Sequence, residues 1–342
     1  MGIAAVTAAC SDRPEGLISA GRNTGPIVVL PVTRRIPLPV ADPYTLFRAL
    51  GAGTGCILES MEGVPRRAVR SIVGLEPPLV FTLDEKVTCK GDPRFSNMDS
   101  CPRGSDPVEH LRRLCNRFRC EGGGVTGFAG GLVGYCAYDM VTDLSAGLVP
   151  AGKEGPLARF MLCTRGIVYD HVHGSCVLFD DPLLSEGEDI GEAYTRANER
   201  MNSLEEAVMA VPGADPGEQG PGGGMELPLR TTMDREEFMA AVRKAKEHIR
   251  AGDIFQVGLS RRLSCPYTGD PVLLYGAIRT INPSPYLYCL GFGDETVIGS
   301  SPEMLVKVEG KTVQTVPIAG TRPRGRDLCE DDQLAADLLA DP

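Results

Sequence analysis

Two hairpin patterns in succession constrain this chain of 342 residues more than any other stretch. Residues 286–292 and 296–300 are apolar runs joined across Gly293-Asp294, and residues 304–308 and 311–317 are joined across Glu309-Gly310. So short a connection allows only an antiparallel pair, because a parallel strand needs a crossover of about a dozen residues or more. Helical patterns lie apart from these hairpins. Residues 107–118 repeat apolar side chains at helical spacing, as do residues 190–211 and 271–281, and residues 43–50 form a short helix. Helices segregated from antiparallel strands predict an α+β fold of sandwich-like antiparallel sheets with helices outside, not a doubly wound parallel sheet.

The stretch from Val211 to Met225 is dense in Gly and Pro and has no apolar period, so it reads as a linker. It predicts four segments: a disordered tail over 1–26, a domain over 27–210, a linker over 211–228 and a second module over 229–342. That module opens on a well-marked helix. Asp234 can cap it with Glu237 three residues on, Phe238, Val242, Ala245 and Ile249 form its apolar stripe, and Gly252 stops it. A strand is expected over 254–259. In the first domain, strands are expected over 27–30, 33–37, 55–60, 158–169 and 175–179. A further strand-like run covers 71–83, with Gly74 and Pro77-Pro78 as turns.

Charge and cysteine usage narrow the function. The net charge is −10, from 35 Lys and Arg against 45 Asp and Glu, with no basic block. Nucleic acid is therefore not an expected partner, since phosphate neutralisation needs clustered cations. The 12 cysteines are scattered and contain no C-x-x-C pair, which points to free thiols in a reducing, cytoplasmic compartment. No apolar run approaches the roughly 20 residues needed to span a bilayer, so no membrane is expected. His171 and His173 lie close together, but without a third ligand nearby they read as a polar hairpin turn.

The segment PIAGTRPRG, residues 317–325, places a glycine and a hydroxyl at a strand end with two guanidinium groups just beyond. Arg forks accept carboxylates bidentately, and glycine lets backbone N–H groups approach an anion. Taken alone, this segment also fits an ordinary surface turn. In order along the chain, however, DIFQVGLSRR (253–262), NPSPYLYCLGF (282–292), GSSPEMLVKVEG (299–310) and PIAGTRPRG resemble the chorismate-binding enzymes, and within that family most closely the anthranilate synthase component I branch. ILES (57–60) and GGLVGYCAYD (130–139) match that branch's N-terminal domain.

The resemblance implies a lyase that converts chorismate and glutamine-derived ammonia to anthranilate and pyruvate. This is the first committed step of tryptophan biosynthesis and is feedback-inhibited by tryptophan. Members that add water carry Lys at Gln256; an amide is no general base near neutral pH, so Gln256 favours ammonia as the nucleophile. Aminodeoxychorismate synthases carry a nucleophilic Lys at Ala319, where this chain has only a methyl group. Glu303 matches the family's general acid, and Gly320 and Thr321 match substrate contacts. Arg322 and Arg324 read as supporting residues. Leu58, Glu59, Ser60, Pro285, Tyr286 and Leu287 match the tryptophan pocket, with Arg66, Arg67 or Arg70 near the carboxylate end. The family's Mg²⁺ ligands lie beyond Pro342, so no metal site is expected within this chain, and the chain alone is expected to be inactive. The implied partners are chorismate, L-tryptophan and a glutamine amidotransferase subunit, anthranilate synthase component II. Two alternatives stay open: aminodeoxychorismate synthase component I, and a non-catalytic tryptophan-binding fragment.

Overall fold

The computed structural model describes residues 26–51, 53–61, 70–84, 86–95, 107–120, 130–138, 140, 155–185, 187–213, 228–316 and 320–341. Compactness divides the chain into two units, Met1–Asp215 with Tyr275–Pro342 in one and Pro216–Leu274 in the other.

Strands β1 (Ile27–Val29) and β2 (Thr33–Ile36) lead into helix α1 (Pro43–Leu50). Asp42 caps this helix by accepting from the Thr45 N–H at 2.8 Å, and Pro43 occupies the first turn, where no N–H is needed. Next come β3 (Thr54–Glu59), β4 (Arg70–Leu75), β5 (Leu79–Leu83), β6 (Val87–Gly91), α2 (Pro107–Cys115) and β7 (Phe118–Cys120). Then follow β8 (Gly131–Cys136), β9 (Ala158–Cys163), β10 (Arg165–Asp170), β11 (Ser175–Asp180), β12 (Leu183–Leu184) and α3 (Ile190–Ala210).

The smaller unit holds the short antiparallel pair β13 (Arg230–Thr231) with β14 (Leu263–Ser264) and the helix α4 (Arg235–Ala251). Asp234 and Glu237 close a reciprocal capping box on α4, and Gly252 ends the helix at φ 81°, a left-handed conformation. The strand expected over 254–259 does not form. Those residues find no ladder partner among the described residues, and an unpaired extended segment is not a strand. Helix α5 (Pro271–Ile281) begins in this unit and ends in the larger one. β15 (Tyr286–Phe292), β16 (Thr296–Ser301), β17 (Lys307–Glu309), β18 (Thr312–Gln314) and helix α6 (Leu328–Ala340) complete the chain.

In the larger unit a seven-stranded sheet, ordered β16-β15-β3-β4-β10-β11-β2, is antiparallel throughout. A four-stranded sheet, β6-β5-β9-β8, packs on one of its faces. Cys56, Leu290 and Phe292 from the large sheet meet Val133, Tyr135, Met161 and Cys163 from the small one. The outer face of the small sheet, with Phe81, Phe160 and Leu162, is covered by Ile27, Phe95 and Leu114. This burial on both faces explains why all six residues of β9 are buried. A third sheet, β12-β1-β7, contains the one parallel pairing among the described strands, β1 with β7. Helix α1 packs on β3 and β4, and α3 packs on β11. The fold is thus the expected α+β arrangement of antiparallel sheets with outer helices.

Three local expectations change. The run 158–169 is two strands, because the chain leaves the small sheet after Cys163 and enters the large one at Arg165. Helix α2 stops at Cys115, and Phe118 starts β7 instead, beside β1. Gly74 is not a turn but a residue within β4, where a Cβ would sit 2.8 Å from the Sγ atoms of both Cys56 and Cys163. A hydrogen is all that fits between the two sheets there. The ten described cysteines are all free thiols, and no described helix is long and apolar enough to cross a membrane.

Candidate functional site

Strands β3 and β15 bring the ILES and NPSPY segments side by side. Leu287 stands opposite Glu59 and Tyr288 opposite Leu58, and the Met61 N–H donates to the Ser284 carbonyl at 3.1 Å, extending the contact past the strand end. All six residues assigned to a tryptophan pocket therefore lie within one corner of the large sheet.

Strand alternation divides those residues between two faces. Leu58 and Tyr288 pack with the inter-sheet cluster, and Ser60 and Tyr286 continue that face toward the open end of the sandwich. On neighbouring strands the same face carries Gly299, opposite Tyr288, and Ile72, opposite Leu58. Arg70 and Asp170 face each other one step further along, with Arg70 Nε 4.0 Å from Asp170. A Cβ on Gly299 would fall 1.9 Å from the Tyr288 hydroxyl oxygen and 2.1 Å from Cζ, so the hydroxyl end of the tyrosine lies over the glycine. The hydroxyls of Ser60, Tyr286 and Tyr288 bond to no other side chain or backbone group among the described residues. Tyr286 is 42% exposed. The result is an apolar floor with an arginine and several hydroxyls at its rim. Arg66 and Arg67 lie outside the described residues.

Glu59 and Leu287 turn to the opposite, helix-covered face. Glu59 is 5% exposed, and its carboxylate accepts from the Tyr275 hydroxyl at 2.6 Å, Arg279 Nε at 3.0 Å and Arg279 Nη2 at 3.2 Å. Arg279 Nη2 also donates to Asp42 Oδ2 at 2.7 Å, which ties the cap of α1 to the same cluster. Tyr44 completes it, its ring centroid 6.1 Å from that of Tyr275 and 5.6 Å from the Arg279 guanidinium carbon. Burial pushes the Glu59 carboxyl above its ordinary range, against the pull of Arg279 and Tyr275. Burial also pushes Asp42 upward, but donation from Thr45 and the Arg279 charge overcome it and hold that carboxyl below its usual value. The sequence offered no signal for Tyr275 or Arg279, which look like ordinary members of an amphipathic helix.

The residues matched to catalysis are differently placed. Glu303 follows β16 and is exposed, and its carbonyl accepts from Ser301 Oγ at 3.3 Å. Gly320 and Thr321 are exposed and precede α6, while Ala319 lies outside the described residues. Arg322 pairs with Asp341, and Arg324 Nε donates to Asp331 at 2.9 Å, so both guanidinium groups engage α6 or its end. Gln256 belongs to the smaller unit and is exposed. The hairpin turn holds His171 near Ser71, Nε2 to Oγ 2.7 Å, and His173 near Asp170, Nδ1 to Oδ2 3.0 Å. Among the described residues no three His, Cys, Asp or Glu side chains are grouped so that they could hold a metal ion.

Two packed antiparallel sheets, with helix α1 over the outer face of the large one, define an α+β protein whose ILES and NPSPY segments share one sheet corner. The chain belongs to the chorismate binding enzyme family, whose model matches residues 65–342. It is 36% identical over 326 residues to anthranilate synthase component 1 of Acetivibrio thermocellus, covering 92% of this chain and 64% of the relative. To the protein of the same name from Haloferax volcanii it is 35% identical, covering 98% of this chain and 67% of the relative. The chain thus spans about two thirds of the length of these relatives. The crystal structure of anthranilate synthase component I from Streptococcus pneumoniae TIGR4 superposes with a TM-score of 0.60 at 28% identity, covering 90% of this chain and 64% of that one. Escherichia coli MenF, a menaquinone-specific isochorismate synthase, shares the fold at a TM-score of 0.51 and 14% identity, covering 94% of this chain and 61% of that one.

Proposed function

We propose that this chain is part of an anthranilate synthase component I, a lyase that forms anthranilate and pyruvate from chorismate and ammonia, and that its sheet corner is the feedback site for L-tryptophan. The observation that carries the regulatory half is the shared face of Leu58, Ser60, Tyr286, Tyr288 and Arg70 on adjacent strands. An indole ring needs a flat apolar slot, which Leu58 and Tyr288 over Gly299 supply. A carboxylate needs a guanidinium, and an ammonium group needs oxygen acceptors, which Arg70 and Ser60 supply. Pro285 and Leu287 shape the slot through the strand they belong to, and Glu59 acts on it from behind.

The catalytic half rests on the resemblance to curated relatives and on chemistry at two positions. Gln256 has no basic lone pair with which to activate water, and Ala319 has no nucleophile, so the nitrogen arrives as ammonia. Its source in this reading is a glutamine amidotransferase partner in the cytoplasm. Glu303 is assigned the protonation of the departing C4 hydroxyl, with Gly320 and Thr321 against the substrate. Mg²⁺ is the cofactor of the whole enzyme, held by residues outside this chain.

Calorimetry with L-tryptophan tests the regulatory half: the chain binds, and Ser60→Ala weakens binding about tenfold, the loss of one charge-assisted hydrogen bond. Unchanged binding in the variant would remove the pocket assignment. For the catalytic half, the complete enzyme with chorismate and ammonia yields the fluorescent ortho-amino product, and release of the para-amino isomer or of a hydroxylated ring would overturn it.

A further inference from the structure

Behind the slot, four side chains from three separate elements form one cluster: Tyr275 and Arg279 both donate to the Glu59 carboxylate, and Arg279 also donates to Asp42. Tyr275 and Arg279 sit one helical turn apart on α5, so they present their polar ends to the same point. Asp42 reaches that point from the cap of α1, and Glu59 from the end of β3. One edge of the Arg279 guanidinium does this: Nε and Nη2 hold Glu59, and Nη2 also reaches Asp42. Tyr275 is completely buried.

A stabilising role alone is a weak account of this cluster, because desolvation of buried charges offsets most of their attraction. What the cluster determines is position. Glu59 lies between Leu58 and Ser60, whose side chains form part of the slot on the other face. Gripping Glu59 therefore sets the height and twist of the strand end that presents them. Across the ladder, Leu287 opposite Glu59 carries the same constraint into Tyr286 and Tyr288.

Resting on the reading of that slot as an amino-acid site, we propose that Tyr275 and Arg279 are its positioning residues. Through Glu59 they hold Leu58 and Ser60 in place and link the slot to helix α5. That helix is continuous from the larger unit into Pro216–Leu274. The ligand class is an aromatic amino acid.

The test uses the whole chain and the variants Tyr275→Phe and Arg279→Lys, each checked for a cooperative thermal transition. Tyr275→Phe removes one hydroxyl without changing volume, and Arg279→Lys keeps the charge but cannot bridge Asp42 and Glu59 together. Two readouts are taken. In calorimetry with L-tryptophan, Tyr275→Phe weakens binding, and its combination with Ser60→Ala departs from additivity by about fivefold, as coupled neighbours do. In amide hydrogen exchange without ligand, both variants speed exchange at residues 57–60 and 286–288 while α3 is unchanged. Should wild type bind tryptophan and Ser60→Ala weaken it while both α5 variants bind normally, positioning is wrong and the pocket stands. Absence of binding by wild type removes the pocket. Unchanged exchange at 57–60 in both variants overturns the positioning role whatever the ligand does.

Discussion

Leu287 lies directly across the β3–β15 ladder from Glu59, an apolar side chain beside a buried carboxylate, both on the helix-covered face of the large sheet. The pair joins two segments from opposite ends of the chain. Leu287 is 1% exposed, so truncating it opens a cavity beside an ionic cluster. Leu287→Ala is expected to cost about 2–5 kcal/mol in urea denaturation, the range for buried leucines. Leu287→Met, similar in volume, is expected to cost less than about 1.5 kcal/mol. Equal losses in the two variants would mean that packing at this position does not support the strand pair.

Gly299 tests the slot from its floor. An alanine there drives into the hydroxyl end of Tyr288, with Oη 1.9 Å, Cζ 2.1 Å and Cε2 2.6 Å from the new Cβ, so the side chain has to leave its place. The site lies on the edge strand β16, where the fold can absorb the change. Gly299→Ala is expected to weaken L-tryptophan binding about tenfold or more, roughly 1.4 kcal/mol, with little effect on the melting temperature. Normal binding would place the ring-accepting surface elsewhere.

Gly74 makes the complementary case for the core. Gly74→Ala sets a methyl group against Cys56 Sγ and Cys163 Sγ, each 2.8 Å away and both buried. Overpacking of this kind costs about 1–3 kcal/mol. Adding Cys163→Ala frees the space, so the double variant is expected to recover part of the loss in the same denaturation assay.

Asp181 predicts a pH dependence. Its carboxyl is 2% exposed, accepts from the Val32 N–H at 3.3 Å and leaves Oδ2 without a partner. Burial raises it from 3.8 to about 8, helped by the neighbouring Asp180 charge. The folded state therefore holds a proton that the unfolded chain releases near pH 4. Between those two values the native state binds more protons, so stability falls as pH rises, and the contribution is fully present only below the unfolded value. Asp181→Asn, which cannot ionise, is expected to remove that slope, gaining on wild type by roughly 3–4 kcal/mol at pH 8 relative to pH 5. Parallel urea curves at both pH values would show an unchanged difference if Asp181 stays ionised throughout.

Much of the local structure in both units can be read from residue order. The helix over 43–50, the 286–292 hairpin and the Asp234/Glu237 cap appear where local chemistry puts them, because each depends on residues within a few positions. Segments 254–259 and 158–169 fared worse for a shared reason. A strand exists through its partner, and apolar runs do not state whether a partner is present or whether the ladder changes sheet.

For the candidate site the division is similar. The strings ILES and NPSPY pointed to one corner, and the structure brings them into register. Arg279 and Tyr275 carried no such signal, since a polar residue on an amphipathic helix looks the same whether it meets water or a buried carboxylate.

By itself the sequence determined the family, the antiparallel α+β class and the helix caps, all of which rest on local pattern or on ordered motifs. Tertiary structure alone decided that β15 and β16 join the sheet on the near side of the linker, that Glu59 turns away from the slot, and that three elements share its charge. Those outcomes depend on which surfaces exclude water together, and desolvation is a property of the packed molecule that no single segment possesses.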